Sequence, residues 1–453
     1  MRCWQGDKVV ARRPSGKIIY QGKLTAPPKY VDDVAIVSAY GPRSTVDQFA
    51  DRLPYQIRGG DAWQSLDADP AHYSVNELYS PTHKGNAIGV VLKQGEAFAI
   101  SDRSGFYLWV DGYDIQRVSG TIRKKTVTQT ANFSMRVRRA SSLGTQTDVQ
   151  TFVLSDAANP DGTTFAVTFD ASADTAIIDW NATAANTPAV TRKYWVDDLR
   201  VGVITPADTF TTADVASDVA DRCGYASVTS GSLNVLPLDW TGAATDLLDY
   251  IAALEDSTWL VLHDPSGRSW GKLHFRAWGH HVWHTRLDGM AEDNGLTVLP
   301  LYDAYATTWE NARGMPQKLR STAVGVGLTD PLPGKTFDYP EPAHIPDPQP
   351  DNALAAAINT RALQRLTKLR VQGSVKVNAV RPPGVPFDIL PGDALRIGDF
   401  EPKIPAQRVA GVTYNRDGSV TCSLERDLHL DTLVRHVARK HHRHPGHRKR
   451  HHA

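Results

Sequence analysis

The segment Ile389–Ile397, ILPGDALRI, decides how this chain is read. Two apolar residues run into Pro391-Gly392-Asp393, and alternating apolar residues resume after them. Proline presets the first turn position and glycine tolerates the backbone that follows, so the stretch is a tight turn opening a strand. A second strand pair, hinged at NRDGSV (415–420), completes a β-meander. The meander offers no nucleophile, metal box or phosphate cradle. It is followed by RHVARKHHRHPGHRKRHHA, from Arg435 to Ala453.

Working upstream, ALAAAINTRALQRLTKLR carries Leu354, Ile358, Ala362, Leu366 and Leu369 on one helical face, with Asp351 or Asn352 as cap. Before it, DPLPGKTFDYPEPAHIPDPQP holds seven prolines between Pro331 and Pro350, which predicts an extended connector. Further upstream, WLVLHDPSGRSWGKLHFRAW reads as a hairpin turning at Pro265-Ser266-Gly267. Two helices precede it. One is TTADVASDVADRCG, with Val215, Val219 and Cys223 in register, a Thr cap and Gly224 at its end. The other is TGAATDLLDYIAALED, with Leu247, Ile251 and Leu254 on one face.

Between residues 85 and 202 helical periodicity fades. Short strand-like pieces recur instead, from AIGVVLK to RKYWVDDLRVGVI, separated by turn chemistry such as NPDGT. That rhythm predicts a β-sandwich, and the block resembles a jelly-roll-like module. The first 80 residues carry β-signals, then a short helix over PRSTVDQFADRLPY with Val46, Phe49 and Leu53 in register. DAWQSLDADPAHYSVNELYSPTHKGN after it reads as polar loop. The expected class is mainly β with α+β parts. The domains are an N-terminal β-rich part (1–84), the inserted sandwich (85–202), an α+β domain (203–327), the Pro-rich connector (328–351), a helix with the meander (352–430) and a basic tail (431–453).

Composition sets bounds on function. The chain has 453 residues, 41% hydrophobic and 22% charged, which fits about two to four folded domains rather than disorder. Net charge is +1, but residues 432–453 carry seven positive charges and no negative one, so the residues before them stand at −6. A mildly acidic body carries no overall footprint for nucleic acid. Three cysteines, Cys3, Cys223 and Cys422, form neither a disulfide framework nor a zinc box. No apolar run reaches the ~18 residues of a membrane span. The start, MRCWQGDKVVARR, lacks the apolar core of a signal peptide, which predicts synthesis in the cytosol.

No nucleophile elbow, zinc-protease box, phosphate loop or dinucleotide fingerprint occurs, so the expectation is no catalytic centre, no cofactor and no bound metal. His274, His280, His281 and His284 cluster with Trp278 and Trp283. They read as an aromatic-rich surface or subunit contact in preference to a metal site. Asp156, Asn159 and Asp161 share a loop of calcium-site composition, but their spacing favours a hairpin turn. Tyr107, Trp109 and Tyr113 are the candidate glycan contacts, because exposed aromatic rings stack on the apolar faces of sugars. Arg435, Arg439, Lys440, Arg443, Arg448, Lys449 and Arg450 are the candidate polyanion contacts.

The order of elements resembles the tail-tip (baseplate) hub and minor tail proteins of long-tailed bacteriophages. The resemblance runs through four stretches. They are DVAIVSAYGPRSTVDQFADRLPY, FTTADVASDVADRCGY, TDLLDYIAALEDSTWLVLHDPSGRSWGKLHF, and the helix leading to ILPGDALRI with its meander. It covers most of residues 1–80 and 203–430 and leaves 85–202 as an insert, whose YWVDDLRV is similar to the last strand of many carbohydrate-binding sandwiches. It implies a homotrimer in the virion tail tip, assembled in the host cytoplasm. Its partners would be the distal tail protein, the tape-measure protein and other tail-tip proteins. A host cell-surface glycan is the further partner expected of the insert. The alternatives are a carbohydrate-binding adhesin working through residues 85–202 and, behind it, a cell-wall hydrolase.

Overall fold

The structure is a computed structural model. It describes residues 5, 7–12, 18–31, 34–47, 52–66, 72–77, 87–98, 105–125, 133–141, 144–182, 187–203, 209–263, 270–285, 290–310, 316–323, 338, 343–345, 352–378, 388–397, 405–415 and 417–424. Phe49, the turn at Pro265-Ser266-Gly267, most of the Pro-rich connector and the tail cations from Arg435 to Arg450 lie outside them. The chain is mainly β, with four helices among the described residues: α1 (Arg43–Asp47), α2 (Thr212–Arg222), α3 (Ala244–Glu255) and α4 (Asn352–Leu366). Three hydrophobic cores organise it.

The first core fills a two-sheet sandwich. One sheet runs in the order Thr163–Thr168, Arg117–Lys125, Arg192–Gly202, Ala87–Leu92, Tyr73–Glu77, with Gln56–Arg58 paired to the end of Arg192–Gly202. The facing sheet runs Thr147–Val153, Phe133–Ala140, Thr175–Ala182, Phe106–Trp109, Gln64–Ser65. Side chains alternate across a strand, so Phe133, Met135 and Val137 point in while Ser134, Arg136 and Arg138 point out. Fully buried Trp180 meets Phe106 edge-on, with ring centroids 5.9 Å apart. Both sheets reach back before residue 85. Segments 64–65 and 73–77, read as loop from their polarity, are strands that extend the sheets.

The second core lies beneath the helices. α2 is closed at its start by a capping box in which the Thr211 hydroxyl accepts from the Asp214 amide. Gly224, with φ +73°, takes the left-handed position just beyond its end. Val215, Val219, Leu247, Ile251 and Leu254 are buried here, packed over the sheet Ala226–Thr229, Trp270–Ala277, Ser257–His263. Leu53 joins the same core from a strand rather than a helix: α1 ends at Asp47, and Arg52–Pro54 pairs with Asp239–Thr241. α4 buries Ile358 and Leu366 as its periodicity predicts, while Leu369 lies beyond its last turn. The same face carries a fully buried amide, Asn359. It accepts from the Thr307 hydroxyl at 2.7 Å and donates to the Leu319 carbonyl (3.1 Å) and the Ser321 hydroxyl (2.9 Å).

The third core belongs to the six-stranded sheet Val282–Thr285, Ala394–Ile397, Gln407–Tyr414, Val420–Leu424, Arg370–Val377, Met290–Leu299. Its two outermost strands are consecutive in sequence. The turn at Pro391-Gly392-Asp393 sits at its heart. Asp393 is 2% exposed and accepts from the Trp283 indole at 2.9 Å and the Leu390 amide at 2.9 Å, with Arg276 at 3.3 Å.

Candidate functional site

The outer face of the five-stranded sandwich sheet carries the candidate site. Strand Phe106–Trp109 sends Phe106 and Leu108 into the core and Tyr107 and Trp109 outward. Trp109 is 45% exposed, and the Tyr107 hydroxyl donates to the Gln64 side-chain carbonyl at 2.7 Å. Tyr107 stands opposite Ile177, which stands opposite Arg138 on the next strand, and Asp179 stands opposite Arg136.

Beside the aromatics lies a charged floor. Asp179, 1% exposed, receives a two-pronged bond from Arg136 (both 2.8 Å) and a third from Arg138 (3.1 Å). Arg138 also reaches Asp148 at 2.7 Å, and Arg136 lies 3.9 Å from it. Two guanidiniums face two carboxylates, so charge balances and the forks are held in fixed planes. An exposed indole, a hydroxyl and planar ion pairs on one rigid sheet are the groups that stack on and hydrogen-bond a sugar-like ligand. The four charged residues escape a motif search. The signal for them was parity: Asp179 interrupts an otherwise apolar, buried strand, and a buried carboxylate requires cations.

Tyr113 does not join Tyr107 and Trp109. Its hydroxyl donates to the Arg52 carbonyl, and the Arg222 guanidinium lies 5.4 Å from its ring centre. It belongs to the joint between the sandwich and the helical part. There Arg222 and the Tyr55 hydroxyl both bond Asp218, at 2.7 and 3.0 Å. Burial, then the Asp218 charge, pushes the Tyr55 phenol well above its ordinary range.

The loop of calcium-site composition holds a cation of the protein's own. The Lys124 ammonium, on a side chain 5% exposed, donates to the Ser155 and Asn159 carbonyls and to the Asp156 carboxylate. Asp161 accepts the Lys124 amide at 2.8 Å.

The histidine-rich stretch is divided between elements. His274 lies in Trp270–Ala277, and His284 lies in Val282–Thr285. The His281 ring packs on Trp283 at 4.2 Å between centroids. Burial, then the charges of Arg276, His280 and Lys272, holds the His274 imidazole below its ordinary range. Among the described residues no group of three or more His, Cys, Asp or Glu side chains is placed to hold a metal ion. No helix among them is long and apolar enough to cross a membrane.

No protein-family model and no curated protein matches the sequence. Solved structures give distant likenesses. The CBM22-1 and GH10 modules of a Clostridium thermocellum endo-1,4-beta-D-xylanase share 15% identity at TM-score 0.22, over 34% of this chain and 27% of the xylanase chain. The chain thus spans about a quarter of that protein. The CBM22-1 xylan-binding domain from Paenibacillus barcinonensis shares 12% identity at TM-score 0.21, over 34% of this chain and 94% of that one. The 43 kDa tail protein of prophage MuSo2 from Shewanella oneidensis shares 10% identity at TM-score 0.28, over 76% of this chain and 99% of that one.

Proposed function

We propose that the chain is a structural minor tail protein of a bacteriophage virion. Three copies form the tail-tip hub and close the tail tube against the distal tail and tape-measure proteins. The order of elements in the sequence supports the class, and one structural observation carries the assembly. The hairpin Lys29–Val31 with Val34–Ile36 leaves Tyr30 72% exposed, Val31 51% and Ile36 52%, with Val37 beside them at 47%. Among the described residues, none before Val46 enters any of the three cores. A two-stranded hairpin is marginal alone in water, and this one exposes apolar side chains on both faces, Val31 and Ile36 on one and Tyr30 on the other, so it calls for cover. A neighbouring copy is the natural cover.

The role is non-catalytic. Burial pushes the Cys223 thiol up to about 11 and the Cys422 thiol up to about 12, away from the range of a nucleophile. The carboxylates of the sandwich face are committed to arginines. The native mass of the purified chain tests the assembly. The expected species is a trimer, and the double variant Tyr30→Lys, Ile36→Lys is expected to be monomeric, with the far-ultraviolet circular dichroism of wild type and a Tm lowered by the lost subunit contacts. A wild-type chain that stays monomeric would sink the hub reading.

The outward pair Tyr107 and Trp109 favours a second role on the same molecule, host attachment through a cell-surface glycan. Trp109→Ala is expected to weaken binding to whole host cells at least about tenfold, as loss of an aromatic anchor does. Its melting curve should match wild type. Undiminished cell binding would remove the sandwich face from attachment.

A further inference from the structure

A cleft of about 220 Å³ lies where the end of α4, the residue after α3 and the strand Gln407–Tyr414 converge. Arg365, Lys368, Arg370 and Arg408 line it, with Asp256 as the carboxylate among the described lining residues. The ends of α4 and α3 each add about half a negative charge. Four cations against these leave an excess of roughly two positive charges.

The three arginines are held in place, while Lys368 is exposed at the rim. Arg408 grips Asp256 with two bonds of 2.8 and 2.6 Å, and its guanidinium lies 5.3 Å from the Trp278 ring centre. Arg365 stands 3.8 Å from the same carboxylate. Arg370 is 2% exposed and donates to the Pro300 carbonyl at 3.0 Å. Gln407 ties the walls together. It accepts the Val371 amide at 2.7 Å and donates to the Leu369 and Pro405 carbonyls at 3.3 and 2.6 Å. Such concentrated positive charge, partly withdrawn from water, is stabilised most by an anion that accepts from several forks at once. The volume holds about seven waters and falls below that of sites for drug-sized ligands, so the occupant is small.

We propose that this cleft is a binding site for a compact phosphate-class oxyanion, which would pin α4, the end of α3 and the six-stranded sheet together. All lining residues come from one protomer, so the site is independent of the oligomeric state and of any glycan.

The test titrates the full chain with inorganic phosphate at constant ionic strength, with chloride as reference, reading Tm and phosphorus-31 line width. The expected result is a saturable rise in Tm and broadening of the phosphate line. Lys368→Ala and Arg365→Gln should each weaken the apparent Kd roughly ten- to a hundred-fold, the worth of one charge-assisted bond. Lys125→Ala, on the sandwich, should leave it unchanged. Should Arg365→Gln fail to fold, the exposed Lys368→Ala carries the comparison. A Tm that follows ionic strength alone, a phosphate effect undiminished in Lys368→Ala, or binding of citrate without phosphate would overturn the proposal.

Discussion

Asp393→Ala is expected to lower the unfolding free energy by about 3–5 kcal/mol, the loss typical of stripping one partner from a buried ion pair. The carboxylate is the shared acceptor of the Trp283 indole and the Leu390 amide, and the charge partner of Arg276. Burial already pulls Arg276 below its ordinary range despite Asp393 beside it. Without the carboxylate that guanidinium is buried with its neutralising charge gone. Asp393→Asn keeps an acceptor for the indole and loses the charge, so it should fall between alanine and wild type. Urea unfolding followed by tryptophan fluorescence measures both variants. A loss below about 1 kcal/mol for alanine would mean water replaces the carboxylate and the turn is not the keystone of its sheet.

The second large effect is expected at Asp179. Asp179→Ala leaves Arg136 and Arg138, with side chains 12% and 11% exposed, facing Asp148 alone. The expected destabilisation is again about 3–5 kcal/mol. The sharper comparison is the triple variant Asp179→Leu, Arg136→Met, Arg138→Met. Replacing a whole buried charge group with apolar side chains is often neutral, so most of the stability should return. Whole-cell binding should not return with it, because the planar ion pairs on the sheet face that begins beside Tyr107 are gone. Recovery of both stability and cell binding would show that the ion pairs serve folding alone.

Legibility in the sequence followed the range of the interactions. α2 could be read because its cap, its apolar face and Gly224 lie within fourteen positions of one another, from Thr211 to Gly224. The Pro391-Gly392-Asp393 turn could be read for the same reason. The partners of Asp393 could not, since Trp283 and Arg276 are 110 and 117 positions away. Tyr73–Glu77 was illegible as a strand because its pairing depends on Ala87–Leu92 rather than on its own polar composition. At the candidate site, alternation correctly separated Tyr107 and Trp109 from Phe106 and Leu108. Sequence proximity then grouped Tyr113 with them wrongly. The turn at Gly112, with φ +75°, carries the chain away from the sheet face and delivers Tyr113 to Arg52 and Arg222. The oxygen-rich loop is a turn but not that of a hairpin, because Thr147–Val153 and Thr163–Thr168 lie in the two facing sheets; nor does local spacing show that Lys124, 31 to 37 positions upstream, occupies it.

The pairing of Arg58, Ile57 and Gln56 with Arg200, Val201 and Gly202 has a wider consequence. The polypeptide departs for the sandwich and comes home at the same spot, zipped by one short ladder. Tension along the main chain can pass across that ladder without travelling through the excursion. A change inside the excursion therefore reaches the frame through this doorway and through Tyr113, which bonds the Arg52 carbonyl.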